Sequence, residues 1–238
     1  MKRKNRNKKE GFYLENVTFS IIDCILGINA LYKDESPTSA HFDAHFTAKD
    51  FDVQRAYKEI PMFHDMVSAA EKAHGIISVD YKVKGDLNGN MGPIYESMQG
   101  GGTINLRDVK IKGLKLFDGI SSKTGQSGLN NPDMKGIEIK STIDKNLISI
   151  EPFTFSVASF RPTIKGTTSF DGLLDLRMRL GLPLFGIIGF PIVITGTHEA
   201  PKIKIFSKTG QEINPAIYDE KNNKVIREEK VSKPKTKK

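Results

Sequence analysis

Three stretches of this chain alternate apolar and polar residues with a period of two. In IIDCILGINALY the even positions Ile22, Cys24, Leu26, Ile28, Ala30 and Tyr32 are all apolar. In AHFDAHFTA, Ala40, Phe42, Ala44, Phe46 and Ala48 oppose His41, Asp43, His45 and Thr47. In GIISVDYKVKG, Ile77, Val79, Tyr81 and Val83 oppose Ser78, Asp80, Lys82 and Lys84. Successive side chains of a strand point to opposite faces, so this pattern predicts strands with one buried face. Weaker versions follow in GTINLRDVKIKG, GIEIKSTI, LISIEPFTFSVASF and RPTIKGTTSF, each bounded by turn-forming residues.

Residues 180–197, LGLPLFGIIGFPIVITGT, hold no charge over eighteen positions. A span of the bilayer needs roughly 20 apolar residues, but Pro183, Pro191 and four glycines disfavour a helix here. Upstream, Leu174, Leu176, Met178 and Leu180 alternate with Asp175, Arg177 and Arg179; downstream, Lys202 and Lys204 alternate with Ile203 and Ile205. The run therefore reads as the turn and returning strand of one long hairpin.

Helices interrupt the strands. Asp52 is placed to cap VQRAYKEI, and Pro61 to start PMFHDMVSAAEKAH, closed by Gly75, with Met62, Phe63, Met66, Ala69, Ala70 and Ala73 on its apolar face. GLKLFDGISSKT predicts a further short helix and PIYESM another helical turn, with GQSGLNNPDMKG as loop. The sum is a mainly β (α+β) chain: an elongated antiparallel curved sheet with two to three short helices.

Charge separates the ends from the middle. The 238 residues carry net +8, of which MKRKNRNKKE holds +5 and Asp219–Lys238 holds +4, leaving −1 for the other 208. Residues 1–11 thus read as a basic disordered tail and 207–238 as a charged tail. Residues 12–206 read as one domain with a helical insertion at about 52–74. With no basic helix or aromatic platform, no nucleic-acid partner is expected. Single Cys24 excludes an internal disulfide framework, and the basic start leads into GFYLENVTFS rather than the apolar core of a signal peptide.

Motifs for catalysis are absent. His41, Asp43 and His45 share one strand face, a spacing that metal ligands can use, but a solvated polar face is the simpler reading. GDLNGNMG lacks the glycine and glutamate of a calcium loop, with Met91 and Ser97 in their places, and reads as a turn. QGGGTINL lacks a phosphate loop's Lys-Ser/Thr, so Gly100–Gly102 read as a bend entering a strand. No enzyme activity, metal or cofactor is expected.

FDVQRAYKEIPMF, GIISVDYKVKGDL, MGPIYESMQGGGTINL, KGLKLFDGISSKTG and, most specifically, SFRPTIKGTTSFDGLLDLRMRLGLPLFGIIGFPIVITGT together resemble the C-terminal region of AsmA-family proteins, over about residues 12–206. The resemblance implies a half-open β-groove with an apolar interior in the envelope of Gram-negative bacteria. Family members are anchored in the inner membrane by an N-terminal helix, extend across the periplasm and are implicated in moving phospholipid toward the outer membrane. Here MKRKNRNKKE stands where that anchor and the upstream groove would be, so the chain reads as the C-terminal piece of such a protein.

The function this implies is non-enzymatic: binding or conducting phospholipid acyl chains, with membrane proteins of the envelope or an upstream AsmA-like part as further partners. The lining would comprise Ile22, Cys24, Leu26, Ile28, Phe42, Ala44, Phe46, Ile77, Val79, Tyr81, Val83, Leu174, Leu176, Met178 and Leu180. The alternative is a structural or assembly factor whose sheet closes on a filled core. The exposure of the apolar face discriminates the two.

Overall fold

The computed structural model describes residues 11–60, 68–124, 127–130, 132–157, 160–181, 189–206, 212–213, 218–219 and 224–225. Strands β1 (Gly11–Ile21), β2 (Cys24–Ser36) and β3 (Ser39–Asp52) precede helix α1 (Val53–Glu59) and a 3-10 turn, Ser68–Lys72. Strands β4 (Ala73–Asn88) and β5 (Pro93–Ile111) lead to helix α2 (Lys115–Thr124) and a second 3-10 turn, Ser127–Asn130. The chain then runs through β6 (Asp133–Asp144), β7 (Leu147–Thr154), β8 (Arg161–Ser169), β9 (Leu173–Gly181), β10 (Gly189–Thr197) and β11 (Pro201–Phe206). Two-residue β12 (Glu212–Ile213) pairs with the end of β11, and Tyr218–Asp219 pairs with Lys224–Val225 in a separate ribbon. Strands β1 to β12 form one antiparallel sheet in strict sequence order. It is an open meander, with β1 at one edge and β12 at the other.

Register carries the two-residue period across the whole sheet. Residues directly opposite in an antiparallel ladder share a face. One row therefore runs Val17, Ile28, Phe46, Tyr81, Gly102, Ser141, Ile150, Gly166, Leu176, Ile194 and Ile203, one residue from each of β1 to β11. The next row holds Asn29, His45, Lys82, Gly101, Thr142, Ser149, Thr167, Asp175, Thr195 and Lys202. One face of the sheet is apolar and the other polar.

The sheet curls toward its apolar face. Helix α2, which follows β5, lies against β11: a methyl at Gly119 would stand 2.4 Å from the Ile203 side chain, and Lys115 Nζ reaches Glu199 Oε2 at 2.5 Å. Six strand spacings separate β5 from β11, about 29 Å on a flat sheet. Curling brings the apolar residues of β4–β6 and β8–β11 into one cluster with α1 and α2, which includes Val53, Ala56, Leu106, Phe117, Ile120, Met178, Ile194 and Ile203. Phe117 meets Phe155 edge to face, with ring centroids 5.9 Å apart. The core therefore sits at one end of the apolar face, beneath the helices.

Local chemistry explains the helical end. Asp52 caps α1 by accepting from the Arg55 backbone N–H at 2.9 Å, as the sequence predicts. Gln54 Nε2 donates to the carbonyls of Ala70, Glu71 and Ala73 at 3.0, 3.1 and 2.7 Å, tying α1 to the 3-10 turn.

Several local readings are corrected. Of the helix expected from Pro61 to His74, residues 61–67 lie outside the described residues. Residues 68–72 form the 3-10 turn, and Ala73 and His74 already belong to β4. PIYESM is strand, the start of β5, because it pairs with Asp86 and Leu87 through Ile94 and Pro93. Gly100–Gly102 lie inside β5 rather than at a bend entering it. The expected GQSGLNNPDMKG loop holds a 3-10 turn and the first residues of β6. The long hairpin is β9–β10, paired from Gly181↔Gly189 to Leu173↔Thr197, while 182–188 lie outside the described residues. Ile22 is not a strand residue: with Asp23 it forms the β1–β2 turn, at φ 48° and 59°. Such angles are unusual for a β-branched side chain, and here Ile22 is buried in the helix-end core.

Candidate functional site

The apolar face divides into a covered part and an uncovered part. Leu176, Met178 and Leu180 on β9 are buried in the core, as are Cys24, Ile22 and Ile77. Cys24 Sγ donates to the Lys49 carbonyl at 3.2 Å, so it is a packed small residue. Leu26, Val79 and Leu174 are half-buried at the margin of that core. Toward the other end, Ile28, Phe42, Ala44 and Phe46 are half-buried on the same face, although Ile28 and Phe46 lie in the row of buried Leu176. Val83 is buried in a smaller cluster with Met98 and Ile143, bordered by Phe42, Phe46, Tyr81, Ile148 and Phe170.

On β1 the face is exposed outright. Phe12, Leu14 and Phe19 are 54%, 38% and 40% accessible, which places large apolar side chains at the open edge of the sheet. Phe12 stacks on Tyr32 with centroids 5.1 Å apart, and Phe46 stacks on Tyr81 at 6.1 Å. An apolar surface thus continues from the covered core onto β1–β4, lined by Phe12, Leu14, Val17, Ile28, Tyr32, Phe42, Ala44, Phe46 and Tyr81.

Glycines shape the middle of this surface. A methyl at Gly100 would lie 2.0 Å from the Lys82 carbonyl oxygen, and one at Gly102 would lie 2.2 Å from that of Asp80. Only glycine lets β5 approach β4 this closely. The Tyr81 ring fills the space over Gly102, 2.6 Å from where the methyl would be, and its hydroxyl meets Ser141 Oγ at 2.7 Å. Burial holds the Tyr81 phenol above its ordinary pKa, with the Ser141 bond acting in the opposite direction. The ring of Tyr81 is thus a floor plank spanning β4 to β6. At the far end Tyr95 stacks on Phe170 at 5.0 Å, linking the start of β5 to the β8–β9 turn.

The β1 contribution escaped sequence reading because a bulge breaks its alternation. Phe12 and Leu14 occupy even positions, Val17, Phe19 and Ile21 odd ones, and the pairing slips between Leu14 and Val17. Asn16 stands at φ 51° there, its N–H donating to Asn29 Oδ1 at 2.7 Å. The switch from FxL to VxFxI across two polar residues is the available signal.

The polar face carries the histidines. His41 Nδ1 lies 2.8 Å from Asp86 and His45 Nε2 lies 2.7 Å from Asp80, while Asp43 stands opposite Lys84. Among the described residues no group of three or more His, Cys, Asp or Glu is placed to hold a metal ion. Among the same residues no helix is long and apolar enough to cross a membrane. The side chains that line the β1–β4 face offer apolar contact. Comparison with family models, curated proteins and solved structures finds no match.

Proposed function

We propose that the chain is a non-enzymatic lipid-binding element whose β1–β4 apolar face shelters phospholipid acyl chains, as the resemblance to the AsmA family implies. One observation carries the reading: an apolar surface continuous with the core is only half-buried where Ile28, Phe42 and Phe46 lie and reaches an open edge at Phe12, which is more than half exposed. Acyl chains need no polar recognition; each CH₂ moved from water contributes about 0.8 kcal/mol. Tyr32 and Asp34, hydrogen-bonded at 2.9 Å, give this surface a polar rim where headgroups can stay wet. In this proposal the protein works in the cell envelope, passing or holding phospholipid between membranes, with an upstream AsmA-like part or envelope proteins as partners.

The rival reading, a structural or assembly factor, draws on the filled core beneath α2, where Ile194 is fully buried. That core occupies the helix end, and beyond it the apolar face is half-buried at Ile28, Phe42 and Phe46 and exposed at Phe12, so the two readings divide the sheet between them. Extraction of the purified chain and mass spectrometry of its lipids tests the proposal. Co-purifying phospholipid that disappears in Ile28→Lys, with unfolding still cooperative, supports it. A lipid-free parent protein that also fails to take up phospholipid from micelles overturns it.

A further inference from the structure

The polar face is not electrically uniform. On β2–β6 several of its cations are ion-paired: Lys33 with Glu35 at 3.3 Å, Lys140 with Glu138 at 2.9 Å, Arg107 with Asp50 at 3.0 Å and His45 with Asp80 at 2.7 Å. On β8–β11 the same face presents Arg161, Lys165, Arg177, Arg179, Lys202 and Lys204, all exposed, against a single acid on those strands, Asp175. Lys165 and Arg177 are direct cross-strand partners, and Val193 links Arg177 to Lys204 in the same row. Among the described residues no acidic side chain pairs with Lys165, Arg177 or Lys202. Like charges set directly opposite each other in a sheet oppose folding, so this arrangement gives up stability for a concentrated positive field.

We propose that this β8–β11 face docks on a bilayer surface bearing anionic phospholipid headgroups. Charge complementarity selects the occupant, and the form of the patch narrows it. The cations spread in two dimensions over β8, β9 and β11, with Thr163, Thr167, Thr195, Val193 and 53%-exposed Leu173 between them. They stand on an open sheet face, whereas a discrete small anion would require a walled pocket. Among the described residues of these strands no line of interleaved aromatic rings follows them, as a single nucleic-acid strand would favour. An open array of separate cations matches the separate phosphates of a bilayer surface. This surface lies on the opposite side of the sheet from the proposed acyl-chain face, so either reading can fail without the other.

The test is flotation of the full-length chain with vesicles of phosphatidylcholine, with or without about 30% phosphatidylglycerol, at low and physiological salt. Each cation near such a surface strengthens binding about fivefold, so Lys165→Glu/Arg177→Glu should lower the partition coefficient at least about 25-fold. Lys165→Gln/Arg177→Gln should give a smaller loss in the same direction. Lys33→Glu/Lys140→Glu makes the same net-charge change on the paired part of the face and should stay within about threefold of the parent. Thermal unfolding should remain cooperative in every variant. Two results overturn the proposal: an equal loss in the Lys33/Lys140 control, or unchanged vesicle binding in the Lys165/Arg177 variants, which assigns the attraction to cations elsewhere in the chain.

Discussion

Replacing Ile194 by alanine removes three carbons from a side chain with no accessible surface, held between Leu176 and Ile203. The surroundings are a strand on each side and a core closed by α2, so the vacated space cannot fill with solvent. Transfer and cavity terms together give a loss of about 3–4 kcal/mol. Ile28→Ala removes the same three carbons from the same row of the sheet, between Val17 and Phe46, where the side chain is half-buried. About half of three methylene equivalents is lost there and no closed cavity remains, which gives about 1 kcal/mol. Urea unfolding of delipidated protein, followed by far-ultraviolet circular dichroism, measures both. A twofold or greater difference is expected. Equal large losses would mean that the β1–β4 face is as closed as the core, and equal small losses would mean that α2 does not seal its end.

Tyr81→Phe keeps the ring over Gly102 but strands buried Ser141 without its partner, so stability should fall by about 1 kcal/mol, with Ser141→Ala recovering part of it in the double variant. Because the folded Tyr81 phenol titrates above its unfolded value, its contribution is complete below about pH 10 and lost as pH rises through the folded pKa. Alkaline destabilisation should therefore be shallower in Tyr81→Phe, as pH-dependent urea midpoints will measure. Gly100→Ala forces a methyl against the Lys82 carbonyl and should cost about 3 kcal/mol or prevent folding; a loss under about 0.5 kcal/mol would mean that β4 and β5 do not approach so closely.

Much of this architecture is legible in the chain because a strand's side-chain period is short-range information. The even positions of residues 24–32 and 40–48 and the odd positions of 77–83 do share one face, and Asp52 does cap a helix. Three kinds of feature resist such reading. Ile22 sits in a turn because two residues must close the β1–β2 hairpin, and burial outweighs its poor backbone preference. PIYESM and Gly100–Gly102 become strand because tertiary pairing with β4 overrides weak local propensity. Most consequential is which apolar residues are covered. Leu176 and Ile28 look alike in sequence and lie in one row, yet only the curl that brings α2 against β11 buries the first. The site is therefore a product of long-range closure, and its β1 margin is further masked by the bulge at Asn16.

The chain contains no tryptophan, so a single introduced indole reports on one place alone. Phe46→Trp puts that reporter on the half-buried part of the apolar face beside Tyr81, and Thr18→Trp puts it on the polar face of β1. Phospholipid carrying brominated acyl chains quenches an indole on direct contact. If acyl chains lie along the β1–β4 face, brominated lipid should strongly quench the emission of lipid-loaded Phe46→Trp and leave that of Thr18→Trp nearly unaffected. Equal quenching in the two variants, or none in Phe46→Trp while lipid is bound, would contradict the account.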